Sequence, residues 1–264
     1  MLPLRDSNPT TRRPIVTLAL IAANVAVFVL WQPTFKSQSE QLEFSFCHAE
    51  IAYEIGHQTN LAGGGAEARD ALDETFGPSA GEAVQQALRR ACPAKSWWLP
   101  LLVSMFMHGG WLHLGSNMLF LWIFGNNVED KIGHIPYLLF YLAGGIVASL
   151  AQFALDPNSA VPTLGASGAV AAVLGAYLVM FPRRRVLTAV FLIFITMIEL
   201  PAVVVLGIWF ALQFFSGAST VGENISGGVA YWAHVGGFVA GVLVALAFFP
   251  KERRPKPRLP YEVD

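Results

Sequence analysis

Apolar positions gather in six runs, residues 15–31, 99–124, 135–154, 167–181, 186–215 and 229–249. Each is near or beyond the ~17–25 residues that a membrane-spanning helix needs, the fourth being the shortest. The fifth, taken as one straight helix, would measure ~45 Å, more than the ~30 Å apolar thickness of a bilayer. Glu199 and Pro201 divide it. Proline suits the first turn of a helix, where a carboxylate also complements the unpaired N–H groups. A fifth span is therefore predicted from about Leu200, and residues 186–198 are expected to form an interfacial or partly embedded segment on the inner side. The pattern predicts an all-α polytopic membrane protein, a bundle of six transmembrane helices.

Composition agrees: of 264 residues, 54% are hydrophobic and 13% charged, against about 25% charged in soluble domains. Twelve of the 17 Lys and Arg fall before the first span, between the second and third, after the fourth and after the sixth. Those segments share one side of a six-span chain, and the loops 156–166 and 216–228 on the other side hold none. The positive-inside rule then makes both termini cytoplasmic. The resulting division is a cytoplasmic N-terminus at 1–14, a first span at 15–31, a long extracytoplasmic loop at 32–97, a core with five further spans at 98–249 and a disordered cytoplasmic tail at 250–264. The first run resembles a signal peptide in its basic flank and small residues, but its length favours a retained anchor. The net charge of −1 says nothing about nucleic acid, and no basic and aromatic surface run suggests such a partner, so none is expected. In the long loop, Gly63–Gly65 reads as a turn and residues 67–92 as helix-compatible, an accessory lobe for packing or substrate recruitment. Cys47 and Cys92 both lie there, and a disulfide and two free thiols are equally compatible with an outer location.

Three runs carry a polar side chain at matching distance from the charge that ends the run. Ser167 lies 16 positions before Arg183, His234 17 before Lys251 and His113 16 before Glu129. If the three helices run the same way, the groups stand ~24–26 Å above the inner boundary, a shallow layer under the outer edge. Pro157, Pro162 and Gly165 keep a helix from starting much before Ser167, so irregular backbone must enter the membrane there. Such backbone is tolerated only where protein buries it or water lines it, which implies a wet cavity above Ser167.

A lone membrane serine is ordinarily a packing residue, and Ser167, Ala171 and Gly175 form a small stripe at spacing four. Gly237, Gly241 and Ala245 form a second stripe after His234, suited to close approach between the two helices. An ionisable group inside a membrane is costly and points to function. Together Ser167 and His234 suggest nucleophile and general base, a dyad, since no carboxylate lies at that depth. His113 and Asn117, one turn apart on the second helix, are neutral donors level with Ser167, fit to hold an oxyanion with the Ser167 N–H. Interhelical hydrogen bonding competes with this reading. A zinc site ranks last, because His108 and His113 are five apart with glycine beside His108. No cofactor and no metal are expected.

At these residues the sequence resembles the rhomboid family of intramembrane serine proteases. The resemblance rests on His108, His113-Leu-Gly-Ser-Asn117, Gly125-Asn-Asn-Val-Glu-Asp130, Gly165-Ala-Ser-Gly168 and Ala233-His-Val-Gly-Gly237, in family order between about Trp98 and Phe249. It implies Ser167 as nucleophile, His234 as base, His113 and Asn117 in the oxyanion site, His108 supporting the loop at the second helix and Gly165 shaping the turn before the serine. The implied partners are single-span or polytopic membrane proteins cleaved near the outer end of a helix, within the lipid bilayer of a bacterial inner membrane. Ala171 departs from members with an aromatic residue one turn after the serine, and the first loop lacks the Trp-Arg pair of many members. Trp209, Phe210, Phe214 and Phe215 on the fifth span suggest a lateral gate, capped by the loop 216–228. The rivals are a catalytically silent rhomboid-like binder and a small transporter, the latter disfavoured by the lack of an inverted repeat.

Overall fold

The computed structural model describes residues 1–191, 195–219 and 229–249. The expected tail and most of the expected cap, 220–228, lie outside the described residues. The chain begins with β1 (Leu2–Asp6) and α1 (Ile15–Ala26), which runs on through a π-helical turn at Val27–Trp31. The lobe follows as α2 (Gln38–His48), β2 (Glu50–Ile51), α3 (Ala52–His57), α4 (Gly65–Phe76) and α5 (Gly81–Ala91). Then come α6 (Pro100–Val103), α7 (Trp111–Phe120), a π-helical turn at Leu121–Gly125, α8 (Asn126–Ile132) and α9 (His134–Leu155). The last part holds β3 (Pro162–Thr163), α10 (Ser167–Met180), β4 (Arg185–Phe191), β5 (Ile195–Pro201), α11 (Ala202–Ser219) and α12 (Tyr231–Phe248).

The molecule is a mostly helical membrane protein. Among the described residues α9, α11 and α12 are long and apolar enough to cross a membrane, and Ile15–Trp31 and Ser167–Met180 are shorter apolar helices. The expected all-α character needs correction. Arg185–Phe191 and Ile195–Pro201 are strands: β4 and β5 pair antiparallel, and β1 extends them to a three-stranded sheet, order β1-β4-β5. Chain that leaves the bundle at Pro182 and re-enters at Ala202 satisfies its backbone by pairing with itself and with the N-terminus. Glu199 therefore sits in a strand, 3.8 Å from Arg185, rather than in the first turn of α11. The second apolar run is also not one helix. It breaks at Met107–Gly110 between a short segment ending at Phe106 and α7.

Two acidic residues in α8 secure α1. The first N–H groups of a helix lack internal partners, and α1 has no cap of its own. Buried Glu129 accepts from the backbone N–H of Val16 and Thr17, both at 2.8 Å, and from the Thr17 hydroxyl at 2.7 Å. Asp130 accepts from the N–H of Thr11 and Arg12.

Helices α10 and α12 meet along the two expected small stripes. A Cβ at Gly237 would overlap the carbonyl of Gly168, one at Gly241 that of Ala172 and one at Gly175 that of Phe238. Lipid offers no hydrophobic drive between helices, so this backbone-to-backbone approach supplies the attraction. The lobe has its own core, Phe46, Ile51, Tyr53, Leu61, Leu72 and Leu88. Cys47 and Cys92 form a disulfide across it, which settles the open alternative. It attaches to the bundle through β2, which pairs with β3 just ahead of α10.

Candidate active site

Helix α10 begins at Ser167, so the serine N–H belongs to the donors that a first turn leaves unpaired. The entering backbone is held by protein: β3 is paired, and Gly165 donates its N–H to the Ser104 carbonyl at 2.9 Å. Gly165 has φ +135, and a Cβ there would lie 2.9 Å from His113 Cε1. Glycine is required at this turn both by its dihedral and by the imidazole pressed against it.

His234, near the start of α12 and 8% exposed, faces α10 across the glycine seam. Its Nε2 lies 2.7 Å from Ser167 Oγ. Its Nδ1 lies 2.7 Å from Gln213 Oε1 of α11. Trp209, one turn before Gln213, places its ring 6.0 Å from the imidazole at 35°. The aromatic missing at Ala171 thus has a counterpart on a different helix, and Ala171 itself is buried in the seam.

His113 stands on the first turn of α7. Gly109 donates its N–H to His113 Nδ1 at 3.3 Å, which leaves the proton on Nε2, the atom that packs 3.0 Å from a Cβ built at Gly165. Asn117, one turn on, donates from Nδ2 to the His113 carbonyl at 3.0 Å and has a second N–H on the same nitrogen. His108 is not on the second helix as expected but in the loop before α7. Its backbone is clamped by Gln32: the Gln32 amide donates to the His108 carbonyl at 3.0 Å, and the His108 N–H donates to Gln32 Oε1 at 2.9 Å. Its ring stands edge-on to that of His113 at 5.1 Å.

Ser167, His234, His113, Asn117 and His108, with Gln32, Trp209 and Gln213, line one open cavity of about 1740 Å³ that extends to α2 of the lobe, and Gly165 lies behind His113. The six expected site residues are therefore brought together at one place. Sequence reasoning missed Gln32, Trp209 as a neighbour of the imidazole, and Gln213. Gln213 is a polar amide in an otherwise apolar stretch of α11, and that is the one signal of it that the sequence carries.

Of the expected gate residues, Trp209 and Phe210 turn inward onto Phe238, with ring distances of 5.9 and 4.7 Å. Phe214 packs on Trp232, and Phe215 is 69% exposed.

The site thus places a serine hydroxyl on an imidazole beside an open cavity in a mostly helical membrane protein. The family model for the rhomboid domain matches residues 94–251, and the chain belongs to the rhomboid family. Over 156 residues it is 34% identical to rhomboid protease GluP of Bacillus subtilis, covering 58% of this chain and 27% of that protein. It is 31% identical over 155 residues to the mitochondrial Rhomboid protein 1 of Saccharomyces cerevisiae, covering 55% and 40%. Over 73 residues it is 42% identical to chloroplastic Rhomboid-like protein 11 of Arabidopsis thaliana, covering 28% and 26%. The chain thus spans between about a quarter and two fifths of the length of these relatives. Intramembrane proteolysis of membrane-protein substrates is the activity of the family, which also has inactive members.

Proposed function

We propose that this protein is a serine endopeptidase that hydrolyses peptide bonds in or next to transmembrane helices of other membrane proteins, with Ser167 and His234 as its catalytic dyad. The observation that carries this reading is the 2.7 Å contact between Ser167 Oγ and His234 Nε2 at the floor of an open cavity. His234 takes the hydroxyl proton as Oγ attacks the substrate carbonyl. The oxyanion that forms accepts hydrogen bonds from His113 Nε2–H, the second Asn117 N–H and the Ser167 N–H. As the C–N bond breaks, His234 returns its proton to the leaving amine. Water entering from the cavity then hydrolyses the acyl-enzyme by the same base, restoring the serine.

Residues 98–249 form the protease core in this reading, within six spans that leave both termini in the cytoplasm of a bacterial cell. The substrate is a single-span or polytopic membrane protein, opened near the outer end of a helix. A helix has its amides satisfied internally, so the scissile segment must unwind, which favours glycine or proline near the cut.

The test is cleavage of a panel of single-span substrates by the purified protein in liposomes, alongside Ser167→Ala and His234→Ala. Both variants are expected to lose all measurable cleavage while retaining their helical content. Cleavage by Ser167→Ala would overturn the proposal. A wild-type protein that binds the panel without cutting it would favour the silent-binder alternative.

A further inference from the structure

We propose that Gln213 is a positioning residue for His234, its side-chain carbonyl fixing the imidazole tautomer and aiming the free ring nitrogen at Ser167. This rests on the proposed hydrolytic reading. The two ring nitrogens of His234 have one partner each, Gln213 Oε1 and Ser167 Oγ, both at 2.7 Å. An amide oxygen can only accept, so the proton resides on Nδ1, and Nε2 presents its lone pair to the hydroxyl. A reversed amide would donate to Nδ1, place the proton on Nε2 and abolish the base.

Neutral glutamine suits this place for a physical reason. A carboxylate in the same position would be an ionised group inside the membrane, which is costly. The amide orients the ring without that charge. Trp209, one turn earlier on the same face of α11, holds its ring 6.0 Å from the imidazole at 35°. Gln213 is contributed by a different helix from the one that bears His234, so the reactive geometry depends on where α11 stands. A hydrogen bond is largely lost beyond ~3.5 Å, so an outward shift of α11 by about an ångström would release the imidazole. A substrate helix entering beside this span must leave the Gln213 contact intact or reform it before reaction.

The experiment uses the full chain in liposomes, a cleavable single-span substrate and a fluorophosphonate probe. In Gln213→Leu, kcat is expected to fall about 10- to 100-fold with KM within about twofold, a loss below the ~10²–10⁴ attributed to general acid–base catalysis itself. Once ionised beside the imidazolium, the carboxylate of Gln213→Glu can only accept. This variant is expected to recover most of kcat and to move the acidic limb of the pH–rate profile up by about one unit, because a carboxylate favours the imidazolium. His113, the titratable neighbour across the cavity, is unchanged in both variants. A side chain that merely fills space would give equal losses in Leu and Glu variants and no displaced limb, and that result would overturn the inference. So would unchanged kcat in Gln213→Leu, or in Gln213→Met if the leucine variant does not fold. Ser167→Ala separates the two claims. If it still cleaves, the proposed function fails; if it is inert while Gln213→Leu is fully active, only the role of Gln213 fails.

Discussion

Where α10 meets α12, glycines press backbone on backbone. In the lobe built from α2 to α5, a disulfide and buried charges do the holding. In the bundle, Gly237 and Gly241 lie against carbonyl oxygens of α10, with Phe238 packed between side chains of α11. In the lobe, Cys47 is linked to Cys92, and Lys95 lies 2.7 Å from Glu54 with both side chains almost fully buried. In lipid, close contact and dispersion are the available attraction, and small residues provide it. A small unit with a core of its own buries too little apolar surface to be secure alone and gains from a covalent link. Rigidity is placed where the proposed dyad needs it, and the lobe is attached to that region through the strand pair next to Gly165.

The largest effect is expected from breaking the seam. Gly241→Val would drive side-chain atoms into the Ala172 carbonyl. A loss at or beyond the upper end of the ~1–3 kcal/mol typical of overpacking is expected. It would be read as a lowered melting temperature in detergent and loss of cleavage together. A variant as stable as the parent would contradict the claim that the seam is backbone contact.

Next comes the oxyanion side. His113→Ala is expected to lower kcat about 10²- to 10³-fold with little change in melting temperature. Asn117→Ala should cost less, because one of its N–H groups is already engaged by the His113 carbonyl. Equal losses would show that the two donors share the oxyanion evenly.

The lobe should respond in the opposite sense. Replacing Cys47 and Cys92 by serine is expected to destabilise the lobe by roughly 2–4 kcal/mol, seen as a separate low-temperature transition. The fluorophosphonate reactivity of Ser167 below that transition should stay within about twofold. A collapse of reactivity at all temperatures would mean that the lobe, and not the seam, sets the dyad.

The smallest effect concerns Glu50. Burial pushes its carboxyl up to about 7, opposed by Ser149 and Lys95. A group whose folded value is raised contributes stability that is complete below its ordinary value near 4.5 and is lost as pH rises through about 7. The lobe should therefore melt higher at pH 5 than at pH 8, by roughly 1–3 kcal/mol. Glu50→Gln should flatten that dependence, and an unchanged slope would assign it to other groups.

The bundle was far more legible in sequence than the lobe. The fourth apolar run, 167–181, became α10 at Ser167–Met180, and the fifth span began at Ala202, two residues from the expected start. Spacing-four stripes survive in sequence because a tight seam admits nothing larger than glycine or alanine. The pairing of β4 and β5 was not legible, since a short apolar run bounded by charges reads equally as helix, strand or surface segment. The disulfide was undecided because pairing depends on how the intervening helices fold back. Within the site, the depth argument and the ordered motifs marked six residues. Gln213 escaped because its role depends on which face α11 turns toward α12, and periodicity alone does not reveal that. His108 lies in a break that Gly109-Gly110 does mark in the sequence, but the apolar residues on both sides hide it in a pattern reading.

The most direct test is treatment of the purified, folded protein with a fluorophosphonate, followed by mass mapping of the labelled peptide. The account expects one adduct, on Ser167, formed at a rate that falls by at least about 100-fold in His234→Ala. A protein that stays unlabelled while folded, or one whose Ser167 reacts equally well without His234, would contradict it.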